Sequence, residues 1–266
     1  MVREDYLNSL DKEYEKFWDC DGECKYYNEC KKRLTDKTPK FRQDRARVGE
    51  EYGKKVMPKI VCVGIEGFID EDKLNNGKIL TNYLEPSNDA CNAHYNGVKY
   101  VLAYLLYCFC DKKKPEPHIG NVICNEYNWT TSKFCLLNLY KCAFVPFDNL
   151  EKTRGLPHSK EMKIHCHEIL LHEFEALDPD VIVIQTSQYP KGLWEKLKDK
   201  YEPELIRGDG KGNKTSLYKG NYNGKPVLFV FTYHGAYRTF VSSEYICDVL
   251  NPVLEKTVEQ LQILYK

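Results

Sequence analysis

The sequence has no excess charge of either sign and no long apolar stretch. Its 266 residues include 39 Lys and Arg against 39 Asp and Glu, so the formal net charge is zero. A neutral chain is not drawn to nucleic acid as a whole, although it can carry a local basic surface. No apolar run approaches the roughly 20 residues that a membrane span requires. The first 18 residues are charged and helical in pattern, unlike a secretion signal, so we expect a soluble, cytoplasmic protein without a membrane partner.

Cysteine, by contrast, is abundant, with 12 in the chain. Disulfides are not expected in a reducing compartment, so the thiols are either small core residues or metal ligands. Apolar or aromatic runs contain Cys62, Cys108, Cys110, Cys124, Cys135 and Cys247, which we interpret as core residues. Outside such runs lie Cys20, Cys24, Cys30, Cys142 and Cys166. The spacing of the first three is looser than Cys-x-x-Cys, which leaves metal ligands and unpaired surface cysteines both open.

Four apolar runs predict buried strands. They are Ile60 to Val63, Lys133 to Cys142, Val181 to Thr186 and Val227 to Arg238. Helical periodicity is found over residues 3–18, 98–110, 160–177 and 244–264. This alternation of helices and strands is typical of a doubly wound α/β fold with a mainly parallel sheet.

Polar residues follow or interrupt three of these strands. Glu66 comes after the first, in a loop that also holds Gly64, Gly67 and Asp70, and Asn138 interrupts the second. His234 follows the last strand. The carboxyl ends of parallel strands meet at one edge, so these groups are expected to line one pocket. A plain strand-to-helix turn with a solvated acidic tail is the alternative for the first loop.

An amide, a carboxylate and an imidazole suit the removal of a base from a nucleotide. The amide of Asn138 can bind a base edge, and the carboxylate of Glu66 can orient water or stabilise a positively charged sugar. The imidazole of His234 can stabilise the anionic leaving base.

Two other stretches give weaker signals. The stretch from Lys31 to Lys55 contains ten Lys or Arg and four Asp or Glu, an excess of positive charge that fits either a solvated basic loop or a phosphate-facing segment. The stretch Gly208 to Ser216 fails as a phosphate-binding loop, because Asn213 replaces the required Gly. In the helix over residues 160–177, Cys166 is expected to face inward and His165 and His172 to face solvent, which disfavours a zinc-dependent hydrolase.

At these residues the chain resembles the uracil-DNA glycosylase superfamily, and most of all its iron–sulfur branch. That branch has a Gly-Glu-Ala-Pro-Gly-x-x-Glu-Asp loop, an Asn-x-Val-Lys-Cys strand and a His-Pro-Ser segment followed by Arg. The matching segments here are Gly64-Ile65-Glu66-Gly67-Phe68-Ile69-Asp70-Glu71-Asp72, Asn138-Leu139-Tyr140-Lys141-Cys142 and His234-Gly235-Ala236-Tyr237-Arg238. With the cysteines, four motifs occur in the family's order across residues 20–240.

The resemblance implies a single domain over residues 1–266, built as a three-layer αβα sandwich around a four-stranded, mainly parallel sheet. Residues 1–55 would pack onto it. It also implies a monomeric DNA glycosylase with a structural [4Fe-4S] cluster on Cys20, Cys24, Cys142 and Cys166, with Cys30 as the substitute for Cys20. Four thiolates also suit zinc, and spacing alone does not choose between them.

The resemblance also assigns roles within the site. Catalysis falls to Glu66, His234 and Asp70. Binding of the base falls to Asn138, Gly64, Gly67, Phe68 and Tyr95. The DNA contacts fall to Tyr237 and Arg238.

The departures from the family concern the substrate. Ile65 stands at the family's Glu position, Gly67 stands at its Pro position, and the segment that supplies an aromatic ring is missing. Phe68 or Tyr95 would supply that ring. The altered loop implies a changed pocket for a mismatched, damaged or modified base, including the modified pyrimidines of some phage genomes, in repair or in antiviral defence. The competing hypothesis is a nucleic-acid-binding protein that keeps the fold and cluster but lacks activity.

Overall fold

The fold is known from a computed structural model, which describes residues 3–18, 24–31, 40–43, 45–54, 56–64, 93–116, 126–145, 160–186, 190–208, 214–233 and 242–266. Within these residues the α-helices are α1 (Arg3–Tyr14), α2 (Tyr27–Lys31), α3 (Ala93–Leu106), α4 (Lys160–Leu177), α5 (Lys191–Tyr201) and α6 (Asn251–Leu264). The strands are β1 (Lys40–Gln43), β2 (Arg47–Val48), β3 (Ile60–Gly64), β4 (Phe134–Asn138), β5 (Cys142–Val145), β6 (Val181–Thr186), β7 (Glu204–Gly208), β8 (Ser216–Tyr222) and β9 (Lys225–Tyr233). None of the described helices is both long and apolar enough to span a membrane.

The main sheet is mixed and has seven strands in the order β2-β4-β3-β6-β9-β8-β7. Its centre consists of the four strands predicted from apolar runs, β4, β3, β6 and β9, which pair in parallel. β2, β8 and β7 extend the sheet through antiparallel pairing. The prediction of an α/β fold is therefore confirmed, but a sheet of four strands was too small, because the polar strands at both edges carry no long apolar run.

A second, two-stranded sheet pairs β1 with β5 in antiparallel fashion. β4 was predicted to continue to Cys142, but it ends at Asn138, and a turn separates it from β5, which begins at Cys142. The chain thus leaves the main sheet directly after Asn138 and enters the small sheet at a candidate metal ligand.

Helices cover both faces of the central strands. On one face, Val61 and Val63 of β3 share a core cluster with residues of α1, α4 and α5. On the other, Ile60 and Cys62 share a cluster with residues of α3 and α6. We call these faces the α1/α4/α5 side and the α3/α6 side. Their burial on both sides explains why the central strands are almost entirely apolar.

The predicted helices are present with shifted ends. α4 spans the predicted residues and buries Cys166, as expected. The last helix begins with a π-helical turn, Tyr245–Leu250, and continues as α6, with Pro252 next to the junction between the two segments.

Two cysteines predicted to lie in the core are exposed. Cys62 and Cys135 are buried, but Cys108 and Cys247 are exposed and Cys110 is half-buried. Cys108 and Cys110 follow the end of α3 at Leu106, so the helical repeat that buries the preceding residues no longer places them inward. Cys124 lies outside the described residues.

Candidate functional site

The carboxyl ends of the four parallel strands carry a row of residues on one face of the sheet. Gly64 of β3 pairs with Asn138 of β4, and Gln185 of β6 pairs with Thr232 of β9. The last register pair between β3 and β6 is Val63 with Ile184, so the next residues, Gly64 and Gln185, lie side by side. We call these four residues the amide row. The residues two positions earlier on each strand, Leu136, Cys62, Val183 and Val230, belong to the core on the α3/α6 side, and side chains alternate along a strand. The amide row therefore faces the α3/α6 side.

Two amides flank a glycine in this row. Asn138 lies on one side of Gly64 and Gln185 on the other, and both amide residues are buried, with exposed fractions of 9% and 0%. Neighbouring strands are about 4.8 Å apart, so the Cα atoms of the two amide residues are about 10 Å apart. Gly64 contributes no side chain between them, so a planar group could approach both amides.

Gln185 is unusual because its side chain makes no hydrogen bond in the described part of the chain, through either Oε1 or Nε2. A buried polar group without a partner costs about 1–3 kcal/mol of folding free energy. Such groups in native proteins call for an explanation, which is often a bound water, ion or ligand. Gln185 was not among the residues predicted from the sequence, although it ends an apolar run as Asn138 does.

The end of β9 is fixed by a small hydrogen-bonded group. The Thr232 hydroxyl donates to the carbonyl of Tyr233 at 3.1 Å, and the amide of Tyr233 donates to the hydroxyl of Tyr245 at 3.3 Å. The Tyr245 and Thr215 hydroxyls lie 2.9 Å apart. The Tyr233 and Tyr245 rings also meet edge to face, with centroids 5.2 Å apart. These contacts set the position at which the chain leaves β9, immediately before His234.

Most of the predicted catalytic and DNA-binding residues lie outside the described part of the chain. They are Glu66, Gly67, Phe68, Asp70, His234, Tyr237 and Arg238. Tyr95 lies in the first turn of α3, and its side chain is not described. β3 ends two residues before Glu66, and β9 ends one residue before His234. Both strands neighbour β6. Gly64 and Asn138 are neighbours across β3 and β4, and the meeting of Glu66, Asn138 and His234 stays a prediction.

Three of the candidate metal ligands gather on the α1/α4/α5 side. Cys24, Cys30 and Cys166 are all buried, with exposed fractions of 6%, 3% and 3%. Burial, reinforced by the neighbouring thiols of Cys166 and Cys24, raises the pKa of Cys30 to about 12. The backbone amide of Lys141 donates to Sγ of Cys166 at 3.3 Å, and Cys142 is the next residue along the chain. The substitute ligand Cys30 thus lies near Cys24 and Cys166, whereas Cys20 lies outside the described residues.

A buried ion pair lies beside these thiols. The ammonium of Lys141 contacts Oε2 of Glu173, and both side chains are only 1% exposed. The hydroxyl of Tyr14 donates to Oε1 of the same carboxylate at 2.5 Å, and the Ala46 amide donates to the Tyr14 oxygen at 2.8 Å. This network joins α1, α4 and the turn that precedes Cys142. Glu173 shares the buried face of α4 with Cys166, and its partner Lys141 comes from a distant part of the chain.

The histidines of α4 contact neighbouring elements and are not simply solvated. His165 Nε2 lies 3.2 Å from Glu29 of α2, and His172 Nδ1 lies 2.6 Å from Glu13 of α1 and 3.3 Å from Glu175. Both are half-buried, so the expectation that they face solvent was wrong. In the described residues, Glu13, His172 and Glu175 form the one set of possible metal ligands whose atoms all lie within 4.8 Å. Lys16 and Lys200 already pair with its carboxylates.

His167 points in a third direction, toward α5. A Cβ built on Gly192 would lie 3.5 Å from its ring, and the ring of Tyr140 lies 6.1 Å away in a near-parallel orientation. Burial and, secondarily, two nearby lysines lower the pKa of His167 to about 4. The three histidines therefore contact three different helices and do not converge on one ion.

The basic stretch at residues 31–55 is partly engaged within the protein. Arg45 donates to Asp11 at 3.0 Å and lies over the ring of Tyr14, and Lys54 lies 3.7 Å from Glu51. Residues 32–39, 44 and 55 lie outside the described part, as do residues 209–213 of the glycine-rich loop. A phosphate-facing role for this stretch stays a prediction.

The chain was compared with known proteins by sequence. No protein-family model matches it, and no curated protein is significantly similar to it.

Proposed function

We propose that the protein is a DNA glycosylase that flips a uracil-like, damaged or modified base out of DNA and hydrolyses its N-glycosidic bond. Its fold would be the three-layer αβα sandwich of the uracil-DNA glycosylase superfamily, formed as one domain over residues 1–266. The observation that carries the proposal is the pairing of Gly64 with the buried Asn138 at the carboxyl edge of the parallel sheet. Ligands of open α/β sheets bind at this edge.

The positions at which the chain leaves the strands also support the proposal. The loop after β3 carries Glu66, and the segment after β9 begins with His234. Only β6 separates these two strands in the sheet. The carboxylate of Glu66, the amide of Asn138 and the imidazole of His234 would then contact one nucleotide at this edge of the sheet.

In the proposed reaction, Asn138 hydrogen-bonds the edge of the flipped base. Glu66 accepts a proton from water as the water oxygen bonds to the anomeric carbon. The bond between that carbon and the base nitrogen breaks, and its electron pair leaves with the base. His234 stabilises the resulting negative charge, and an abasic site remains. Asp70 would support the water-activating side, while Tyr237 and Arg238 would contact the DNA at the vacated position.

The buried thiols of Cys24, Cys30 and Cys166 are candidate ligands of a metal centre. Four thiolates suit either an iron–sulfur cluster or zinc, and the resemblance to the iron–sulfur branch favours the cluster. We propose that Cys24, Cys142, Cys166 and either Cys30 or Cys20 hold such a cluster in a structural role, with zinc as the less favoured alternative.

Cysteine use also bears on the compartment. The eight described cysteines are all free thiols. Free thiols in this number suit a reducing compartment such as the cytoplasm.

The proposed activity is tested by the bases that the protein releases. Purified protein is incubated with single- and double-stranded DNAs that contain uracil, damaged bases or phage-type modified bases, and released bases are identified by mass spectrometry. We expect release of at least one base, with alkali-labile abasic sites in the DNA. DNA binding without any release would instead support the inactive nucleic-acid-binding protein, which Ile65 and Gly67 in the first motif favour.

Glu66→Gln tests the water-activating role. Loss of general-base catalysis should lower turnover by about 10²–10⁴-fold, while DNA affinity should change little because the side chain keeps its size. The matched control is Glu195→Gln, which makes the same change at an exposed residue of α5. Turnover that is equal in Glu66→Gln and Glu195→Gln would reject the role of Glu66.

The cluster is tested by iron, sulfide and zinc content after anaerobic purification. Cys166→Ser should lose iron and sulfide together with the visible absorbance of the cluster. Comparing Cys20→Ser with Cys30→Ser identifies the remaining ligand, and Cys108→Ser serves as a control at an exposed thiol. One equivalent of zinc without sulfide would overturn the iron–sulfur assignment.

A further inference from the structure

Gln185 has no role in the reaction described above, yet it lies in the same row as Asn138. It is fully buried, and in the described residues neither atom of its amide is hydrogen-bonded. The other residues of the row do not satisfy it, because Gly64 has no side chain and the Thr232 hydroxyl donates to the carbonyl of Tyr233. A glutamine amide offers one acceptor oxygen and two donor hydrogens. Its natural partner is therefore a ligand group that carries both a donor and an acceptor.

The position of Gln185 determines which part of a base it can reach. Asn138 and Gln185 stand on the same side of the sheet, on opposite sides of Gly64, with Cα atoms about 10 Å apart. A base that lies over Gly64 would present one edge to each amide. The uracil-like base of the proposed function is a pyrimidine, with a single six-membered ring.

The two edges of a pyrimidine differ in chemistry. The edge with O2, N3 and the group on C4 carries donors and acceptors, and it is the edge that an asparagine can read. The opposite edge, C5 and C6, carries only C–H bonds in uracil and cytosine. A buried amide that faces C5 would stay unsatisfied with these bases, at a cost in binding, but a polar substituent on C5 would satisfy it.

We propose that Gln185 is a specificity-determining residue that hydrogen-bonds a polar substituent at C5 of a pyrimidine. The substrate class is then a pyrimidine modified at C5 with a hydrogen-bonding group, such as a hydroxymethyl group, and not unmodified uracil. This inference rests on the proposed function for its reaction, but the binding of the base can be measured separately.

The first test is the ratio of two release rates. DNAs that carry either 5-hydroxymethyluracil or uracil at one position are compared with the wild-type protein and with Gln185→Leu. We expect the wild-type protein to favour the hydroxymethyl base by about tenfold or more, because uracil would leave the buried amide of Gln185 without a partner. In Gln185→Leu the ratio should fall by at least tenfold. Gln262→Leu, the same change at an exposed residue of α6, should keep the wild-type ratio.

The second test does not depend on catalysis. The midpoint of thermal unfolding, Tm, is measured with and without free 5-hydroxymethyluracil or uracil as the ligand. The hydroxymethyl base should raise the Tm of the wild-type protein more than uracil does, and Gln185→Leu should lose that difference. Without ligand, Gln185→Leu should raise the Tm by a few °C, since it removes an unpaired buried amide.

The outcomes separate this inference from the proposed function. If no DNA releases a base but free 5-hydroxymethyluracil still stabilises the protein through Gln185, the glycosylase proposal fails and the role of Gln185 is supported. If bases are released but Gln185→Leu leaves the ratio unchanged, the glycosylase proposal is supported and the role of Gln185 is overturned. Preferred release of a purine, or a lower Tm of ligand-free Gln185→Leu, would also overturn it.

Discussion

Removing one partner of the Lys141–Glu173 ion pair should destabilise the protein far more than removing both. Both side chains are 1% exposed, so Glu173→Leu would leave a buried ammonium without a counter-charge, which costs about 3–5 kcal/mol. The Tyr14 hydroxyl would also lose its acceptor, which adds about 1 kcal/mol. In a chain of this size 1 kcal/mol lowers the Tm by about 2–4 °C, so Glu173→Leu should lower it by an amount on the order of 10 °C.

The assay is a double-mutant cycle in urea. The free energy of unfolding is measured for the wild-type protein, Glu173→Leu, Lys141→Met and the double variant. Replacing a buried ion pair with apolar residues of similar volume is often close to neutral, so the double variant should be more stable than Glu173→Leu by about 2 kcal/mol or more. Tyr14→Phe should cost about 1–3 kcal/mol, because it leaves the Ala46 amide without its acceptor.

Two results would refute the reasoning. A loss below about 1 kcal/mol in Glu173→Leu would mean that water reaches the ammonium, as at an exposed pair. A double variant as unstable as the sum of the single variants would mean that the two charges do not interact. Iron content is followed in each variant, because the backbone amide of Lys141 also donates to Cys166.

Two further predictions concern other parts of the structure. Gly220→Ala should lower the free energy of unfolding by about 1–3 kcal/mol through overpacking, because its Cβ would lie 2.8 Å from the carbonyl oxygen of Tyr201. The control Gly224→Ala should cost only about 1 kcal/mol, because its Cβ would meet nothing within 4 Å and only its φ of +82° is unfavourable. Equal unfolding free energies of the two variants would contradict this prediction. A hydrogen bond from Lys133 lowers the pKa of Glu51, so Glu51 stabilises the fold above about pH 4.3, the usual value for Glu, and this contribution is lost as the pH falls through its folded pKa. The Tm difference between wild type and Glu51→Gln should therefore shrink below about pH 4, and a constant difference from pH 7 to 3 would exclude this role.

The central strands could be predicted because their burial on both faces makes them continuous apolar runs. The edge strands could not be predicted in this way, since β7 is exposed throughout and the second half of β8, from Lys219 to Tyr222, is not an apolar run. A stronger signal was present in the turn between β8 and β9. Asn223 and Gly224 both have positive φ, of 52° and 82°, and Asn-Gly between two strands is typical of a tight hairpin.

Only part of the candidate site was accessible from the sequence. Asn138 could be identified because a lone amide in an apolar strand needs a partner, and the same argument applied to Gln185 would have found it. The partnership of Lys141 and Glu173 could not be predicted, because 32 positions separate the two residues and no local spacing links them. The proximity of Cys30 to Cys24 and Cys166 likewise depends on how α2 packs against α4, and local sequence spacing does not determine that packing.

The turn after β4 connects the two halves of the proposed site. Asn138 begins this turn, and the amide of the next residue, Leu139, donates to the carbonyl of Gly64 at 2.7 Å. Two residues later, Lys141 is held to α4 by its amide at Cys166 and by its ammonium at Glu173. A cluster on Cys142 and Cys166 would close this turn against the same helix. Its structural role would therefore extend to Asn138, the proposed base-binding amide, and loss of the cluster should weaken base discrimination as well as stability.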